Sequence, residues 1–500
     1  MMSGNSLSRS QEWSDRTALL ILLAATTLFR LFYVQWVDLA PDEAYYFTWS
    51  RNLQWGYYDH PPMVAFLIYL GTAVGGITEW GVRLPWVLIG ALLTLVLYQM
   101  GKEIFQSERV GFLSALVMNL SLLGSVGSII ATPDGPQALC WALSVYFVYR
   151  AIQGQGFRDW ALTGGFFGLG LLSKYTMILL VPCVFLYLFA SKARRGWLLR
   201  KEPYGALLLG LLIFSPVILW NARNGWVSFL YQLSHGLDAK SGAGLRTFGD
   251  FWAGQAGLIS PLLFIGALWA MGTGLLRGVR KKEDSFLFLF FTSAPVLIFF
   301  ALVSLRSKVE ANWPALAYFS ALVALMAMTV EKWPLWNQGK KTIAGLALGM
   351  ALLTTSVAHI QPVFPVIPIP PHRDPTSELY GWRKLGERLK EIVSSFPPGQ
   401  KVFLLTPRHQ LVGEGMFYSQ AKYPIYQWDA PLRLNHLSSK NAPPTGSSAI
   451  FFTEGGSELP RELAPRFESC ERLETLVIDR ENQPVREHPF WKCEGFKGMR

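Results

Sequence analysis

The strongest chemical signal is a pair of acidic sites seventeen residues apart. One is Asp42-Glu43, within Pro41-Asp42-Glu43-Ala44-Tyr45-Tyr46. The other is Asp59, within Trp55-Gly56-Tyr57-Tyr58-Asp59-His60-Pro61-Pro62. A carboxylate in such a loop can take the proton of an attacking hydroxyl. Partial burial would lift its pKa into a working range, and the surrounding aromatic faces suit sugar rings. The same residues have a plainer reading, in which Asp42 caps a short helix starting at Pro41 and the aromatics form an interfacial belt. The loop alone does not choose between them.

Other polar residues stand out against apolar surroundings. Arg83 opens an apolar run, and Asp134 sits between Thr132-Pro133 and Gly135-Pro136. Asp134 reads as a site acid or as the N-cap of the run that follows. Lys174, between two apolar runs, reads as an anion ligand or as a lysine whose stem lies along apolar surface. Arg306, Lys308 and Glu310 put three charges in five residues, a density that fits phosphate capture or a solvated loop. His235 is a weak signal alone. If a divalent metal is bound, its candidate ligands are Asp59, Asp134 and His235. There is no H-E-x-x-H, C-x-x-C, P-loop or G-x-G-x-x-G pattern to indicate another cofactor site.

These residues must be positioned by an unusual chain. Of its 500 residues only 16% are charged, against about 25% in soluble domains. The deficit is regional: residues 372–500 are 26% charged and residues 1–371 are 12% charged. The expected organisation is a polytopic helical membrane domain over 1–371, with a catalytic outer loop at 38–82, and a water-exposed α/β domain over 372–500. Spans are expected near 17–37, 83–104, 109–128, 135–152, 158–172, 175–191, 204–221, 252–275, 285–304, 313–330 and 341–360. The run 63–78, interrupted by Gly71, Gly75 and Gly76, is expected to be an interfacial helix.

With that run kept out of the count, eleven spans place eighteen basic residues on one side and eight on the other. The rich side is the cytoplasmic one. This orientation gives a cytoplasmic N-terminus, a retained first anchor and an outer C-terminal domain. It also places all the polar candidates above at the outer face, where folding could gather them into one cavity. The net charge of +11 follows from the loops, and no clustered basic face suggests a nucleic-acid partner. Cys140 and Cys183 lie in expected spans and read as packing. Cys470 and Cys493 share the outer domain and could pair. Strand-like runs at 401–406, 449–453 and 474–479, with a helical pattern near 376–395, suggest the α/β fold.

At these residues the chain resembles a known family. Asp42-Glu43 after the first span, Asp59-His60-Pro61-Pro62 before an interfacial helix, Val82-Arg83-Leu84-Pro85, Pro133-Asp134-Gly135 and Leu172-Ser173-Lys174-Tyr175 occur in that order. It resembles the bacterial GT-C glycosyltransferases, which include relatives of protein O-mannosyltransferases and the lipid A aminoarabinose transferases. The resemblance implies sugar transfer from a polyprenyl-phosphate carrier to an envelope glycolipid, glycan or protein. Transfer would take place at the outer face of a bacterial plasma membrane, in a setting such as lipopolysaccharide modification. It implies Asp42 as catalytic base and Asp59 as the second acid, with Glu43, His60, Arg83, Asp134, Lys174, His235, Arg306, Lys308 and Glu310 as substrate or phosphate contacts. Two positions depart from the aminoarabinose subgroup: Ala44-Tyr45 stands in place of a Thr-Arg pair, and His60 in place of a lysine. The sugar is therefore not carried over from that subgroup, and phosphate binding is expected to rest on Arg83, Lys174, Arg306 and Lys308. The competing classes are a secondary transporter or lipid flippase, which eleven spans also fit, and a receptor whose outer domain binds ligand.

Overall fold

The computed structural model describes residues 4–154, 156–237, 242–428, 443–456 and 458–498, without the side chains of 4–14 and 235–237. Its helices are α1 (Gly4–Tyr33), α2 (Pro41–Ser50), α3 (Met63–Gly75), α4 (Glu79–Phe105), α5 (Glu108–Leu120), α6 (Leu122–Val126), α7 (Asp134–Gly154), α8 (Phe157–Ser173), α9 (Leu180–Ala190), α10 (Lys201–Arg223) and α11 (Val227–Leu237). They continue as α12 (Leu245–Ile259), α13 (Pro261–Arg280), α14 (Asp284–Phe291), α15 (Ala294–Val303), α16 (Leu316–Lys332), α17 (Gln338–Ile360), α18 (Trp382–Ser394) and α19 (His409–Tyr418). Among the described residues, seven helical stretches are long and apolar enough to cross a membrane. They are Asp15–Tyr33, Glu79–Phe105, Lys201–Arg223, Pro261–Arg280, Asp284–Val303, Trp313–Leu335 and Gln338–Ile360.

The other expected spans are helical but shorter, less apolar or broken. The run 109–128 divides at Ser121, which leaves the helical region (ψ 153°) and accepts the Gly124 N–H at its hydroxyl. The run 252–275 divides between α12 and α13. Pro261 disfavours helical geometry in the residue before it, and Ser260 sits at φ 79°. The 63–78 run becomes α3, whose 13 residues reach only about 20 Å, short of a hydrocarbon core of about 30 Å. Helix α11, which carries His235, falls in a stretch where the sequence suggests only a loop.

The chain forms two compact units. One comprises Met1–Leu31, Trp86–Ile129 and Pro133–Val357. Its core is a continuous apolar cluster in which α16 is buried nearly all round. The other comprises Phe32–Pro85, Ile130–Thr132 and Ala358–Arg500. The loop after the first span, expected as part of the membrane domain, thus packs with the C-terminal region.

The C-terminal region holds β1 (Val402–Thr406), β2 (Ile425–Gln427), β3 (Ser448–Phe452), β4 (Ser469–Arg472), β5 (Leu476–Arg480), β6 (Gln483–His488) and β7 (Phe490–Glu494). Five strands form one sheet in the order β2-β1-β3-β7-β4, parallel at β2-β1-β3 and antiparallel beyond; β5 and β6 form a hairpin. Phe403, Leu405, Ala449, Phe451 and Trp491 supply much of one face's core. Cys470 and Cys493 face each other across β4 and β7 and form a disulfide.

Candidate active site

Helix α2 begins at Pro41, whose fixed φ suits the first helical position. Asp42 follows it but does not cap the helix. Glu43 does, accepting the Ala40 N–H at 2.8 Å through Oε2. The two neighbouring acids have different surroundings. Glu43 is fully buried, whereas Asp42 is exposed. The partial burial expected of the base therefore falls on its neighbours in the sequence.

Arg83, near the start of α4, is equally buried and meets Glu43 in a two-pronged ion pair. Nε donates to Oε1 at 2.9 Å and Nη2 to Oε2 at 2.6 Å. Its remaining N–H groups donate to the carbonyls of Val34 (2.8 Å), Val37 (2.9 Å) and Asp38 (2.7 Å), just beyond the end of α1. All five guanidinium N–H groups are thus engaged. Glu43 is also saturated, with the Ala131 N–H donating to Oε1 at 2.8 Å. This corrects the expectation that Arg83 and Glu43 meet substrate: no N–H of Arg83 is left for a phosphate oxygen. Their work is to join the end of α1, the start of α2, α4 and the 130–132 segment.

Asp59 is buried and accepts the Tyr45 hydroxyl at 2.7 Å, which ties the second acidic site to the next turn of α2. His60 lies beside the Tyr46 ring, 6.2 Å between centroids, and its carbonyl accepts the Tyr57 N–H at 3.1 Å. Trp49 and Tyr57 stack at 4.3 Å behind them. Asp42, Glu43, Asp59, His60 and Arg83 thus share one unit.

The remaining candidates lie in the other unit. Asp134 starts α7, and its Oδ1 accepts Lys174 Nζ at 2.8 Å; Lys174 is buried where α8 ends. Lys308 and Glu310 form an exposed pair at 2.9 Å, and Arg306 is exposed beside them. His235 lies on α11, with its side chain outside the described residues. Among the described residues, no three of His, Cys, Asp and Glu converge as a metal set. Asp59 and Asp134 are bonded to Tyr45 and Lys174 instead.

Residues from the far end of the chain also reach this loop. Asp38 accepts the Trp382 N–H at 2.8 Å and pairs with Arg383 at 3.2 Å. The Leu39 N–H donates to the Tyr418 hydroxyl at 2.8 Å. No local signal in the sequence identifies Trp382, Arg383 or Tyr418, because each acts on a residue more than 340 positions away.

Residues 59–220 match the family model of dolichyl-phosphate-mannose-protein mannosyltransferases. The chain is 26% identical to a lipid A galacturonosyltransferase, RgtD, of Rhizobium johnstonii, over 88% of this chain and 92% of that one. It is 28% identical to an undecaprenyl phosphate-alpha-4-amino-4-deoxy-L-arabinose arabinosyl transferase of Pseudomonas fluorescens, over 55% of this chain and 49% of that one. The fold matches ArnT from Cupriavidus metallidurans, solved bound to undecaprenyl phosphate, with a TM-score of 0.66 at 15% identity over 94% of this chain and 97% of that one. The archaeal oligosaccharyltransferase AglB of Archaeoglobus fulgidus follows, with a TM-score of 0.51 at 10% identity over 88% of this chain and 70% of that one. In this fold, its multi-pass helices and the ordered Asp-Glu and Asp-His-Pro-Pro motifs, the chain is similar to the GT-C glycosyltransferases of the protein O-mannosyltransferase and aminoarabinose transferase superfamily.

Proposed function

We propose that this enzyme moves a sugar from a polyprenyl-phosphate carrier onto lipid A at the outer face of the plasma membrane, with Asp42 as general base. The observation that carries the assignment of the base is the contrast within Asp42-Glu43. Glu43 is consumed by Arg83, Ala40 and Ala131, while Asp42 on the same anchored turn stays exposed. The lipid A sugar transferases among its relatives support the donor and acceptor classes. The galacturonosyl relative, matched over nearly its whole length, makes a uronic acid the first sugar to test. The basic loops support a cytoplasmic N-terminus, and the Cys470–Cys493 disulfide supports an oxidising compartment for the C-terminal region.

In this reading Asp42 takes the proton of an acceptor hydroxyl as its oxygen bonds to the anomeric carbon. The bond from that carbon to the phosphate oxygen breaks, and polyprenyl phosphate leaves with the electron pair. A single displacement inverts the anomeric centre. Basic side chains would stabilise the leaving phosphate, where negative charge develops.

The test is transfer from radiolabelled polyprenyl-phosphate sugars to lipid A in membranes. General-base catalysis contributes about 10²–10⁴-fold, so Asp42→Asn should lose about that factor in kcat and keep its affinity for undecaprenyl phosphate. Normal turnover by Asp42→Asn overturns the assignment of the base. Solute uptake without labelling by any carrier would favour a transporter.

A further inference from the structure

Helix α19 of the C-terminal region packs directly onto α2. A Cβ added at Gly413 would lie 2.5 Å from Ala44 C, 2.5 Å from Tyr45 N and 2.6 Å from Ala44 O. All three are backbone atoms, so no side chain can rotate away. Two ring contacts flank this approach: His409 on Tyr45 at 4.7 Å and Phe417 on Phe47 at 5.1 Å between centroids.

The segment leading into α2 is fixed with the same thoroughness. The Asp38 carboxylate is held by Trp382 and Arg383, the Leu39 N–H by the Tyr418 hydroxyl and the Ala40 N–H by Glu43. The Tyr418 hydroxyl in turn donates a hydrogen bond to Glu79 at 3.2 Å, and Glu79 also meets Arg383 at 2.8 Å. Residues 38, 39 and 40 are thus bonded in succession, two of them by the C-terminal region. The next two residues are Pro41 and Asp42.

We propose that α19, through Gly413 and Tyr418, is the positioning element that sets the Asp42 carboxylate for catalysis. The C-terminal region is then part of the catalytic apparatus although none of its residues need touch the reacting atoms. The inference rests on the assignment of Asp42 as base.

Ordinary contact with a Cβ begins at 3.4 Å, so an alanine at Gly413 must drive α2 and α19 apart by close to 1 Å. Alanine is otherwise welcome in a helix, so the change costs nothing in propensity. A reacting group misplaced by about 1 Å can lose about 10²-fold in rate.

The experiment compares full-length wild type, Gly413→Ala, Tyr418→Phe and Asp42→Asn, purified and returned to liposomes. Each is measured for kcat, donor KM, undecaprenyl phosphate affinity and melting temperature. The expected result is a fall of about 10²-fold in kcat for Gly413→Ala and a smaller fall for Tyr418→Phe, with donor KM and carrier affinity unchanged. A merely structural role would lower the melting temperature and the active fraction, not the kcat of the folded protein. Wild-type kcat in folded Gly413→Ala overturns the proposal, as does a raised KM at constant kcat. If Gly413→Ala does not fold, Tyr418→Phe decides by the same criteria. An active Asp42→Asn removes the assignment of the base itself. An inactive Asp42→Asn beside a fully active Gly413→Ala removes only the positioning role.

Discussion

Replacing Arg83 with lysine keeps the charge and removes the fork. The guanidinium serves five acceptors: both Glu43 oxygens and the carbonyls of Val34, Val37 and Asp38. An ammonium has three N–H groups, so at least two buried acceptors lose their partner. Each such loss costs about 1–3 kcal/mol, which puts Arg83→Lys at about 2 kcal/mol or more. Arg83→Met leaves the Glu43 charge buried and uncompensated, a loss of about 3–5 kcal/mol. The unit that holds the pair spans about 200 residues. At that size 1 kcal/mol shifts the melting temperature by about 2–4 °C, so Arg83→Lys should melt at least about 4 °C early and Arg83→Met earlier still. The assay is a thermal melt in detergent beside titration with undecaprenyl phosphate. Glu43→Leu combined with Arg83→Met should lose less than the two single changes together, because no charge is left unpaired. An Arg83→Met protein that melts with wild type but binds the carrier weakly would refute this reasoning. It would make Arg83 a phosphate ligand.

Glu414 on α19 is fully buried, and neither carboxyl oxygen has a hydrogen-bond partner among the described residues. Burial, reinforced by nearby Asp38, pushes its pKa well above the usual carboxylate range, against the opposing pull of Arg486. Its contribution to stability is therefore fully present below the ordinary glutamate pKa. That contribution declines as pH rises toward the folded value, because only the unfolded chain ionises. Glu414→Gln should melt like wild type near pH 4 and increasingly above it by pH 8; parallel melting curves across that range would count against a neutral Glu414. Cys470 and Cys493 close a loop between positions 23 apart. Cys470→Ser should destabilise the C-terminal sheet by about 3 kcal/mol, read as earlier proteolysis, with no further effect of reductant on the variant.

Sequence patterns carried much of the fold. Apolar length revealed the long helices around α4, α10 and α16, and short continuous apolar runs revealed β1 and β3. Breaks were missed where one residue overrides a hydrophobic run, as at Ser121 and Ser260. The Asp42-Glu43 pair was legible as a chemical feature, but its division of labour was not. Adjacent acids look alike until Arg83 and the Ala131 N–H are seen to claim one of them. The Lys174–Asp134 bond joins two residues that the sequence flagged separately. Gly413 and Tyr418 left no trace, because a close helix approach between distant segments has no periodicity to read.

The bond from Leu39 to Tyr418 joins positions 379 residues apart. At about 5–20 residues per second, the ribosome needs roughly 20–75 s after making the first partner to supply the second. During that interval the Leu39 N–H and the Asp38 carboxylate lack their native acceptor and donors, and α2 lacks its contact with α19. The turn that carries Asp42 is among the first parts of the protein to be made, and the bonds from Trp382, Arg383 and Tyr418 to the residues before it are among the last to form. A prematurely terminated chain would carry Asp42 without these bonds, and under the positioning role proposed above it would lack the means to aim that carboxylate.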